Sequence, residues 1–111
     1  MNRFTLKASP CYSAEVFIYD TLAQMLSAIR RHTGAENVNG GAFTYFQSTG
    51  AIPRVYFARE ALTLDFVSHE FSHVAFEWTL VISGGRARRK HHEFMAELHS
   101  ELVRLFWNKA M

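Results

Sequence analysis

A chain of 111 residues and 12.8 kDa is enough for one compact domain and too short for two. Its 49% hydrophobic and 20% charged content, with ten Phe, four Tyr and two Trp, excludes a disordered, collagen-like or linker-type chain. The formal charge of +2 is too mild to imply nucleic acid by itself, and the single Cys11 excludes an intrachain disulfide or a cysteine-based structural zinc site.

In chain order, the segment through Pro10 reads as a loop, without the apolar run of a leader. No window approaches the roughly 18 apolar residues of a membrane span. With one cysteine, this predicts a soluble, unprocessed, cytoplasmic protein. Val16-Phe17-Ile18-Tyr19 is β-branched and aromatic, a strand signature. Asp20 can then cap a helix whose apolar positions Leu22, Met25, Leu26 and Ile29 follow the 3.6-residue period. Arg30, Arg31 and His32 suit the helix's negative pole, and Gly34 stops it. Residues 35–41, with Asn37, Asn39, Gly40 and Gly41, form a loop.

Two aromatic runs, 42–47 and 54–58, read as an antiparallel strand pair joined through Ser48-Thr49-Gly50 and Pro53. From about 61 to 79 the pattern is helical, with Leu64, Val67, Phe71, Val74 and Trp78 stepping by three and four. Ser83-Gly84-Gly85 ends it, residues 86–90 are a basic loop, and 91–107 form a last helix along Phe94, Leu98, Leu102, Leu105 and Phe106. No repeat interrupts the chain, so residues 1–111 are expected to form a single α+β domain of order β-α-β-β-α-α. Its sheet is small and mostly antiparallel, with about three helices packed on it.

His69-Glu70-Phe71-Ser72-His73 is H-E-x-x-H in the middle of a predicted helix. Residues four apart share a helix face, so both imidazoles can reach one metal ion. Glu70, pointing toward the same side, can hold and deprotonate a metal-bound water without ligating the metal. Zinc lowers that water's pKa to roughly 7, which makes hydroxide available near neutral pH. The two histidines lie opposite the Leu64/Val67/Phe71/Val74/Trp78 stripe, and the motif's neighbours are uncharged, unlike an ordinary solvated face.

On these residues the chain resembles the zincin metallopeptidases, and within them the gluzincin branch. There the third ligand is a Glu from a following helix, often in the pattern E-x-x-A with an acidic residue next; Glu93-Phe94-Met95-Ala96-Glu97 matches it. The resemblance covers about residues 54–107, as an edge strand, the motif helix, a connector and the ligand helix. It implies a minimal zincin-like domain. Zn2+ would be held by His69, His73 and Glu93, and Glu70 would be the catalytic base. The metzincin pattern is absent, because neither its Gly nor its third His follows His73.

The third ligand stays open among Glu93, its neighbours His91 and His92, Glu97, and no third protein ligand at all. A histidine there would give the three-His arrangement of SprT-like proteases, which act on proteins attached to DNA; residues 86–90 would then meet phosphate. Glu97 and His99 are further candidates, for hydrogen-bonding a ligand and for proton donation. Tyr45 and Tyr56 are candidates for stabilising an oxyanion, since in zincins the strand before the motif helix pairs with extended substrate. The expected function is a zinc metallopeptidase acting on a peptide or protein substrate, with no membrane partner. The alternatives are a metal-stabilised, non-catalytic binding module and a SprT-like, DNA-associated protease.

Overall fold

The computed structural model describes residues 1–8, 11–36, 38, 40–48 and 50–110. Strand β1 (Asn2–Ala8) buries Leu6 and Ala8 and turns Arg3, Thr5 and Lys7 outward, a period-two pattern. It pairs antiparallel with β2 (Tyr12–Tyr19), Asn2 opposite Ile18 and Ala8 opposite Tyr12. Helix α1 (Leu22–Thr33) follows, then β3 (Ala42–Tyr45) and β4 (Arg54–Ala58). A 3₁₀ turn at Arg59–Ala61 leads into α2 (Leu64–Ile82), and another at Arg89–His91 leads into α3 (His92–Ala110).

The sheet order is β1-β2-β4-β3. β4 runs parallel to β2 and antiparallel to β3. A parallel neighbour demands a crossover, and α1 lies within it. Because β2 and β4 are central, they bury both faces and read as nearly continuous apolar runs. Phe17, Tyr19, Tyr56 and Ala58 pack with Met25, Ala28 and Ile29 of α1. On the other face Val16, Ile18, Val55 and Phe57 join Val67, Phe71 and Val74 of α2 and Leu98, Leu102 and Phe106 of α3. No helix among the described residues is long and apolar enough to cross a membrane.

The expected α+β layout, with a mostly antiparallel sheet and three helices, is present. It carries one strand more than the sequence predicted. β1 occupies the segment assigned to a loop, its alternation diluted by the charges of an edge strand. Ser9 and Pro10 of that predicted loop, and Asn37, Asn39 and Thr49 of later ones, lie outside the described residues. The cap of α1 is Thr21, not Asp20. Thr21 Oγ1 accepts from Gln24 N and Gln24 Oε1 from Thr21 N, both at 3.2 Å, a complete capping box. At the other end Gly34 adopts φ 76° and donates its N–H to Arg30 O at 3.0 Å.

Helix α2 begins three residues later than expected because Arg59–Ala61 closes a 3₁₀ turn first, and Thr63 then caps Phe66 N at 3.2 Å. Gly41 sets the approach of β3 to this region. A Cβ there would stand 2.7 Å from Ala61 Cβ and 3.3 Å from the Phe66 ring. The start of β3 is thereby held close to the start of the motif helix.

Candidate metal centre

Helix α2 buries Val67, Phe71, Val74 and Trp78 and leaves His69 and His73 exposed on its outer side, as the period predicts. The two rings meet edge to face at 84°, centroids 4.7 Å apart, and their Nε2 atoms converge to 3.1 Å. Two zinc–nitrogen bonds of about 2.0–2.1 Å at a tetrahedral angle place their nitrogens roughly 3.3–3.4 Å apart. The pair therefore fits as two ligands of one zinc ion. The same distance suits an N–H···N hydrogen bond, one ring donating to the other. Ser72 Oγ donates to His69 O at 2.5 Å and sits on the same exposed side.

Glu70 takes a different place from the one the motif alone predicts. It is only 7% exposed and turns toward the sheet, where Thr44 Oγ1 donates to its Oε1 at 2.7 Å. Three residues along a helix amount to about 60° of net rotation, so Glu70 borders the face of His73 while its carboxylate reaches into the seam between α2 and β3. Among the described residues β3 is the edge strand there, paired with β4 alone. The strand 54–58, placed at the edge by the resemblance, is interior.

Glu93 opens α3 and is exposed. At 100° per residue it lies about 180° from the mean direction of Leu98, Leu102 and Phe106, the stripe α3 buries. Among the described residues no three His, Cys, Asp or Glu side chains gather within reach of one metal ion, so Glu93 is not brought to the histidine pair. His91 closes the 3₁₀ turn, its Nδ1 accepting from Arg88 N at 3.0 Å, and His92 is exposed at the first position of α3. Glu97 lines a small cavity with Tyr12, Phe94, Leu98 and Glu101.

His99 is half-buried between the helices, with Nε2 2.9 Å from Ser68 O and 3.3 Å from Ser68 Oγ. A carbonyl only accepts, so Nε2 carries the proton and cannot act as a base toward the Ser68 hydroxyl. His99 is a strut between α2 and α3. Tyr45 and Tyr56 both project to the α1 side of the sheet, Tyr56 fully buried, so neither faces the histidine pair. Alternation along β3 puts Thr44 on the opposite side from Phe43 and Tyr45. Thr44 is the partner that the aromatic run concealed; the period of two was its only signal.

No known protein family, curated protein or solved structure matches this chain.

Proposed function

We propose that this chain is a small zinc-dependent peptide hydrolase. The observation carrying the reading is the convergence of His69 and His73 to 3.1 Å on the helix that also carries Glu70, buried and hydrogen-bonded to Thr44. Zinc, if bound, would be held by His69 and His73 and would supply Lewis acidity that makes water acidic enough to react near neutral pH. Glu70 would act as the base for that water and pass the proton to the leaving amine. Thr44 orients that carboxylate by occupying one of its oxygens. β3, at the edge of the sheet among the described residues, offers backbone groups along which an extended peptide segment adds as a further strand. The third ligand is assigned to Glu93 by the gluzincin-like pattern. A cytoplasmic setting belongs to the same reading, supported by the free, exposed Cys11.

A metal-stabilised binding module shares the histidine pair and dispenses with Glu70. It is favoured by the placement of Glu70, whose carboxylate turns into the seam between α2 and β3 and is engaged by Thr44; the two donors that converge among the described residues fall short of the four a structural zinc site takes. Metal analysis of the purified chain, followed by cleavage of a mixed peptide library, separates the readings. The hydrolase predicts bound zinc that His73→Ala loses, and a Glu70→Gln variant that keeps zinc but does not cleave. A Glu70→Gln variant cleaving as well as the parent would sink the mechanism. Zinc lost with Glu93→Ala supports the assigned third ligand; zinc lost with His92→Ala transfers the role to that histidine.

A further inference from the structure

We propose that the bowl at the C-terminal end of α1, on the sheet face opposite the histidine pair, binds a phosphate-type dianion. It has a volume of about 230 Å³ and is lined by Arg3, Glu15, Phe17, His32 and Arg54. Sheet register assembles it from three strands, since Arg3 stands opposite Phe17 and Glu15 opposite Arg54. Phe17 and Tyr56 stack at 4.9 Å and 9° beneath. α1 stops there, and its His32 leans over the opening.

The cationic groups are held in place before any ligand arrives. Arg3 Nε donates to Glu15 Oε1 at 2.7 Å, and its guanidinium lies 5.2 Å from the Phe17 ring centre. The Tyr56 phenol lies in the field of Arg54, and its oxygen is 3.1 Å from His32 Nδ1. With Nδ1 engaged, Nε2 is the nitrogen left for a ligand. Side chains already fixed lose little entropy on binding, which favours affinity.

Charge selects the ligand. Glu15 offsets Arg3, so Arg54 leaves one net positive charge in the bowl, and a protonated His32 adds a second. Partial burial, reinforced by Arg31, Arg54 and Arg3 against the opposing Glu15, holds the His32 pKa below its ordinary value. A dianion reverses that balance and brings a proton onto the ring. The Arg54 fork and the imidazole offer donors from directions that the two oxygens of one carboxylate do not share comfortably, whereas a tetrahedral oxyanion accepts from both. The carbonyl pole of α1 opposes an anion only weakly. Gly34 N donates to Arg30 O at 3.0 Å, and Thr33 Oγ1 to Ile29 O at 2.7 Å.

The test is a chemical-shift titration of the isotopically labelled full chain at fixed ionic strength. Inorganic phosphate, phenyl phosphate, dimethyl phosphate, acetate and sodium chloride are the probes. Saturable shifts at the His32 ring and Arg54 side chain are expected with inorganic phosphate. Binding should be about tenfold weaker in Arg54→Gln and in His32→Gln. Affinity should fall as pH rises through the titration of His32. Equal affinity for phenyl phosphate assigns a monoester ligand, and preference for inorganic phosphate assigns the free ion; both uphold the proposal. Dimethyl phosphate or acetate binding as tightly, or shifts reproduced by chloride, overturns it. His32 is exposed, so His32→Gln decides the matter even if Arg54→Gln does not fold.

Discussion

Glu70 lies at 7% exposure and its carboxylate keeps the Thr44 hydroxyl at 2.7 Å. Removing one partner of a buried polar pair costs more than the bond contributes, because the other is left dehydrated and unmet. Thr44→Val preserves shape and deletes the donor. It is expected to destabilise the fold by about 1–3 kcal/mol in urea denaturation, with Thr44→Ser recovering most of the loss. If Glu70 is the base, the same variant also slows cleavage, since the carboxylate is no longer oriented. His69, Glu70 and His73 were legible as a constellation because helical spacing of four is a local property. Thr44 was not, since its link to Glu70 spans 26 positions of sequence.

At the scale of elements, α1 has 12 residues, a length at which an isolated helix is marginal in water. Its packing of Met25, Ala28 and Ile29 on the sheet and its reciprocal Thr21–Gln24 cap offset that weakness. Thr21→Ala should cost about 1 kcal/mol, read as a lowered denaturation midpoint at unchanged slope. An unchanged midpoint would show that the cap contributes nothing. The capping residue expected from the sequence is Asp20. The choice fell to Thr21 because Gln24 stands three positions on and answers it. Asp20 lies 3.9 Å from Arg59 instead. For α3 the helix itself was legible, and so was the exposed side of its stripe. The direction of Glu93 relative to the histidine pair depends on how α3 rolls against α2, which periodicity alone does not encode.

Across the whole molecule, the sheet separates two polar clusters, the histidine pair on the α2 side and the His32 bowl on the α1 side. His32 is held more neutral in the folded chain than in the unfolded one, chiefly by burial and then by Arg31, Arg54 and Arg3. The unfolded chain therefore binds that proton more tightly, and stability must rise with pH where His32 titrates. The contribution is complete above the unfolded value of about 6.5 and is lost as pH falls below it. Denaturation midpoints from pH 5 to 8 should show this dependence reduced in His32→Gln. Equal slopes in parent and variant would assign the dependence to other groups.

Composition, the two helical stripes and the aromatic runs determined by themselves the α+β layout and the placing of His69 and His73 on the outer face of a helix. Those properties are local. They follow from side-chain periodicity within ten or twenty residues, which sets which face is buried whatever the partner. Tertiary structure alone decided that 54–58 is interior and 42–45 the edge, because strand order depends on which pairings close across the α1 crossover. It also decided that Glu70 meets Thr44, that Tyr45 and Tyr56 face away from the histidine pair, and that Arg3, Glu15, His32 and Arg54 share one bowl. Each of these joins residues distant in sequence, and a distance in space exists only once the layers have packed.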